Sequence, residues 1–222
     1  MPTNDSLMDE RQQRIHAALA ARRLDLASMY HAALVLLANP AEVGGERIRT
    51  SHICHSMREV MNRVLVAMGK GASPRIKPYS GAQVQKLPDL LSRFPTLALD
   101  ADGESVPVPR DVALVFDKLM KTAVQEKRRS RDDVAALLTD DGNSEHLAVA
   151  RWIDSRKFFV RWAHLEDYEV ASFDLPDDDV IRSHVAVFDE LFHAVITEFF
   201  ALRHSIDDLL AEINSLEDAG NE

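Results

Sequence analysis

The residues best able to do chemistry crowd into one stretch. Residues 45–71, GERIRTSHICHSMREVMNRVLVAMGKG, carry Arg47, Arg49, His52, His55, Arg58, Glu59, Asn62 and Arg63. An imidazole exchanges protons near neutral pH, and a guanidinium fork holds a carboxylate or phosphate. His55, Arg58, Glu59 and Asn62 stand at i, i+3, i+4 and i+7, so a helix places them on one face. Further on, FFVRWAH at 158–164 supplies Arg161 and His164. Two roles fit this face. It is the floor of a phosphate- or nucleotide-recognising pocket with His164 opposite, or a polar network tying two helices, with Arg58 paired to a carboxylate. The second role is the favoured one.

Arg49 and His55 form an Arg-x5-His pair. Spacings of this kind also occur at Arg11/His16 and Arg47/His52, about as often as random placement gives. The spacing resembles the Arg-x4–6-His motif of the HEPN family, and that resemblance implies metal-independent RNA cleavage, with His55 as acid or base and Arg49 or Arg58 on the phosphate. Metal chemistry is not expected. His52-x2-His55 and Glu190-x2-His193 each offer two ligands on one helix face, but Glu198 follows His193 by five and leaves that face. No His-Glu-x-x-His occurs, and Cys54 stands alone, which excludes a zinc site built on several cysteines and any intrachain disulfide. Gly69-Lys70-Gly71 is not a phosphate loop, because that pattern needs glycine where Val64 stands. No hydrolase, kinase or dinucleotide signature is present, and no cofactor is expected.

HEPN proteins are all-helical bundles common in prokaryotic defence and toxin systems. The resemblance implies a helical bundle and a homodimer. It also implies either a metal-independent RNase or, for a chain without that activity, an accessory subunit of a bacterial defence-type system. His55-Ser56-Met57-Arg58-Glu59 with the later Phe and Ala163-His164 also resembles uncharacterised bacterial helical proteins with an Ala-His-Ser-Leu-Arg-Glu-Leu helix.

The positioning elements read as helices. Opposite the polar face of residues 45–71, Ile53, Met57, Val60, Met61, Val64, Leu65 and Met68 repeat at three and four residues and must face a core. Gly69 suits the C-terminal cap. A first helical stretch, capped at Asp5 or Ser6, runs toward Asn39-Pro40, with a break near Arg22-Arg23. A weaker helix covers about 82–93. Residues 94–108 are a loop excursion. A helix from Pro109 to about Arg129 ends in a basic run, Lys118 to Arg131, and Ser130 then caps a short helix over 131–138. Ser144 opens a helix through about His164. The last helix begins near Asp177 and keeps an apolar seam from Ile181 through Phe192, Phe199 and Ile206 to Leu216, about five heptads. A free end on such a seam, with Phe192, Phe199 and Ile206 along it, is a homodimer candidate.

The expectation is therefore an all-α bundle of one domain spanning 1–222. The 222 residues, 46% of them hydrophobic and 6% aromatic, suit such a core. A net charge of −10 weighs against wholesale coating of nucleic acid but leaves local RNA contact or a protein partner open. No signal peptide is legible, and the apolar run Ala32–Ala38 is far shorter than a membrane span, so a soluble, cytoplasmic protein is expected.

Overall fold

The structure, a computed structural model, describes residues 7–69, 76–95, 97, 107–164 and 175–219, with side chains as far as Glu198. Among the described residues every regular element is a helix, so the fold is all-α. The elements are α1 (Glu10–Ala20), α2 (Leu24–Ala38), α3 (Glu46–Ala67), α4 (Ser80–Val84), α5 (Leu87–Leu91), α6 (Arg110–Leu138), α7 (Leu147–Trp162) and α8 (Asp178–Ala219).

The chain divides into two compact units. The first is Met1–Gly71 with Val134–Glu222, and the second is the insertion Ala72–Asp133. In the first unit α1 packs on α2, α2 on α3, α3 on α7, α7 on α8, and α8 returns to α1. This closed ring of five helices surrounds Ile15, Leu26, Tyr30, Met57, Trp152, Phe159, Phe188 and Phe192, all fully buried. Ring contacts link Tyr30 to Phe188, Phe188 to Trp152 and Phe188 to Phe192, with centroids 5.7, 5.6 and 5.4 Å apart. Phe192, assigned by its pattern to a dimer seam, is therefore a core residue of its own chain. Phe199 and Ile206 lie outside the residues whose side chains are described. The insertion is held by buried Gln83, which donates to the Thr122 hydroxyl and the Pro78 carbonyl, and by Ser80, which donates to Glu126.

Local chemistry explains the boundaries. Asp9, rather than Asp5 or Ser6, caps α1. Its carboxylate accepts from the Gln12 backbone N–H at 2.8 Å, while the Gln12 side chain accepts from the Asp9 backbone. The chain breaks between Ala20 and Leu24 as the misplaced Arg22 suggests, and the exposed Arg22 side chain caps α3 by donating to the Ala67 carbonyl. Gly69 at φ +68° ends α3 in the left-handed region, which a side chain enters at a cost. The weak helix of 82–93 is two short ones, α4 and α5, with Pro88 in the first turn of the second. α6 runs unbroken through Ser130, because no Gly or Pro interrupts it and a serine is tolerated mid-helix. α7 is capped by His146, whose Nδ1 accepts from the Ala148 N–H at 3.2 Å, and not by Ser144. No helix among the described residues is long and apolar enough to cross a membrane.

Candidate functional site

The polar side of α3 divides into two clusters that face different neighbours. Arg49 and His55 are six residues apart, about 120° around the helix, and do not meet. Arg49 points to the end of α2 and the start of α8. Its Nε donates to the Leu36 carbonyl at 2.7 Å, and its two terminal nitrogens grip the Asp178 carboxylate at 2.7 and 2.9 Å. The Leu37 carbonyl accepts from Arg49 at 3.3 Å and from Arg182 at 2.6 Å. These bonds satisfy orphan carbonyls at the end of α2 and place a carboxylate in the first turn of α8. Hydrogen bonds from Arg49, against the effect of burial, hold the Asp178 carboxyl below the usual carboxylate range. Arg49 is therefore a clamp between three helices.

The second cluster centres on Arg58, whose side chain is 17% exposed. Its Nη2 lies 3.2 Å from His55 Nδ1 and its Nη1 lies 3.1 Å from His164 Nε2. Nε and Nη2 also donate to Glu59 Oε1 at 3.3 and 3.0 Å, and Arg63 donates to Glu59 Oε2 at 2.9 Å. An arginine only donates, so in these two contacts the ring nitrogens are the acceptors. Burial pushes the Glu59 carboxyl up, but the hydrogen bond from Arg58 and the charges of Arg63 and Arg58 outweigh it and hold the group below its ordinary value. Ser51, buried two turns before Arg58, donates to the carbonyl of Ala163 at 2.9 Å. That bond latches the end of α7 to α3 and sets His164 over Arg58.

The structure thus brings together His55, Arg58, Glu59 and His164, from segments 106 residues apart. Asn62 is exposed and makes no hydrogen bond to this group. His52 is also exposed and lines a different surface, an open groove of about 410 Å³ with Val35, Leu36, Pro40, Ile48 and Arg49. The Arg161 guanidinium lies 5.3 Å from the centroid of the Trp162 ring. No group of three His, Cys, Asp or Glu among the described residues is placed to hold a metal ion, and Glu190 pairs with Arg151 at 2.7 and 3.0 Å. Burial pushes the Cys54 thiol up to about 12, far from thiolate reactivity.

Comparison with protein-family models, curated proteins and solved structures finds no match to the chain.

A third cluster escaped the sequence reading. Asp189 in α8 is 4% exposed, accepts from the Tyr30 hydroxyl at 2.7 Å and from Gln12 Nε2 at 3.0 Å, and so joins α8 to α2 and α1. Burial pushes its carboxyl up to about 6, against the lowering effect of those two hydrogen bonds. A cavity of about 270 Å³ opens beside it, edged by Arg11, Gln12, Leu37 and Arg182. A signal was available: a carboxylate directly follows Phe188 and stands four residues after Val185, at the margin of an apolar stripe. A buried carboxylate needs partners, and a tyrosine and a glutamine on other helices supply them.

Proposed function

We propose that the chain is a non-enzymatic helical interaction protein, HEPN-like in shape, working as a homodimer that engages a protein partner. The observation that carries this reading is the engagement of both candidate arginines. Binding phosphate at Arg58 requires displacing Glu59 or His164, and binding it at Arg49 requires displacing Asp178. Guanidinium groups filled this way hold helices together and are poor receptors for a transition-state phosphate. The role of accessory subunit in a bacterial defence-type system follows from the family resemblance.

One observation favours a second reading, a dimeric metal-independent endoribonuclease. His55 and His164 are both exposed and flank a single guanidinium, and a pair of imidazoles is what acid–base cleavage of RNA uses. The two readings separate in one assay. Purified full-length protein is incubated with single-stranded RNAs in the presence of EDTA. The interaction reading predicts intact RNA at every enzyme concentration. Cleavage that His55→Ala abolishes without loss of folding sinks it and establishes the RNase.

A further inference from the structure

The donors of Arg49 and Arg58 are taken up by their own chain. The cavity of about 270 Å³ beside Asp189 is different, because polar capacity is left over there. Asp189 spends one carboxylate oxygen on the Tyr30 hydroxyl and the other on the Gln12 side chain. A carboxylate offers about four lone-pair positions, so about half of its accepting capacity meets no protein donor. Both of its donors are neutral. Burial raises the carboxyl to about 6, so at neutral pH a charge stands in apolar packing with no cation bonded to it. Asp9 also lines the cavity, and its charge adds to the effect of burial on Asp189.

Two guanidiniums edge the same cavity. Arg182 spends one donor, on the Leu37 carbonyl at 2.6 Å, and keeps others uncommitted. Arg11 is exposed, makes no hydrogen bond or ion pair among the described residues, and acts on Asp189 and Glu190 through its charge alone. Leu34, Leu37 and Val185, all buried, supply an apolar wall, beside which charges are screened less than in water. The lining thus combines two carboxylates, two guanidiniums with donors to spare, and apolar surface. Its charges cancel, so the occupant it suits is neutral overall and carries both signs.

We propose that this cavity binds a small amino acid, its ammonium held by Asp189 with Asp9 and its carboxylate by Arg11 with Arg182. The volume lies just below the usual range of ligand pockets, about 300–1,000 Å³, which suits a compact metabolite and not a nucleotide. A lone anion satisfies the arginines but leaves the buried charge of Asp189 unmatched. A lone cation does the reverse. The lining comes from the start of α1, the end of α2 and the first turns of α8, so the occupant ties three helices of the ring together. The site is separate from the α3 clusters and stands whether or not the chain cuts RNA.

The test is isothermal titration of the full-length protein at pH 7.5 with glycine, L-valine, 4-aminobutyrate and 6-aminohexanoate. Butyrate, butylamine and inorganic phosphate serve as probes of a single sign. At least one amino acid should bind, and about tenfold or more tighter than butyrate or butylamine, because each charged end adds a charge-assisted hydrogen bond. Asp189→Asn, with its fold checked by circular dichroism, should weaken that binding about tenfold. Arg11→Gln, an exposed change that spares the fold, should weaken it about threefold and leave butylamine unaffected. If Asp189→Asn does not fold, Arg11→Gln decides. The proposal is overturned if no amino acid of the panel binds at millimolar concentration, or if the variants bind as the parent does. Phosphate or butyrate binding as tightly as the amino acids makes this an anion site, and butylamine doing so makes it a cation site; either result also overturns the proposal.

Discussion

At the scale of single residues, the polar groups of the first unit are distinguished by what surrounds them. Arg58 stands among acceptors, Glu59 among donors, and Asp189 in apolar packing with two neutral donors. The responses of Glu59 and Asp189 to pH therefore have opposite signs. Asp189 is raised to about 6, so between the ordinary aspartate range and pH 6 the folded state binds more protons than the unfolded chain. Its contribution to stability is full below that window and is lost as pH rises through 6. Glu59 and Asp178 are lowered, so their contributions are present above the ordinary carboxylate range and are lost as pH falls through their folded values. Burial lowers His16 and His184, which act in the opposite sense in the same range. Asp189 is therefore isolated by difference: the stability of the parent relative to Asp189→Asn, from urea unfolding between pH 5 and pH 7.5, should fall as pH rises through 6. A parent–variant difference that does not change with pH removes Asp189 as a titrating contributor. The setting of Arg58 was legible from the i, i+3 spacing of His55, whereas for Asp189 only its place beside an apolar stripe was, because its partners lie 159 and 177 residues away.

At the scale of elements, α3 is the member whose two polar faces fix its neighbours. One face, through Arg49, joins the end of α2 to the start of α8; the other, through Ser51 and Arg58, joins the end of α7. Arg49→Ala should lower stability by about 1–3 kcal/mol, since it strands the Leu36 carbonyl and an acceptor-only carboxylate. Asp178→Ala should cost less than this, and the double variant should cost less than the sum of the two. Urea denaturation of all four proteins checks the cycle, and strict additivity denies the clamp. The 3.6-residue period made α3 and its buried side readable from the sequence. It could not show that Arg49 and His55 face different helices, since the tertiary partners decide which turn of a polar face meets what. Ser130 misled for a related reason: capping preference is local, and nothing in the flanking residues breaks α6 there.

At the scale of the whole molecule, α1, α2, α3, α7 and α8 close into a ring around one aromatic core, and an insertion interrupts the chain between α3 and α7. The all-α class and the apolar stripes could be read from period and composition. The insertion could not, because its helices carry the same kind of residues as the ring. Closure of the ring also explains why Phe192 is interior: α8 lies against both α7 and α1, so its seam is buried within the chain at that level. On this account the His55–Arg58–Glu59–His164 cluster is a lock on the α3–α7 side of that ring. The most direct test is the melting temperature of Arg58→Ala beside the parent protein. Losing a largely buried guanidinium that serves three partners should remove about 2 kcal/mol, which lowers Tm by about 4–8 °C in a chain of this size. A melting temperature equal to that of the parent would contradict the lock and leave Arg58 free for another purpose.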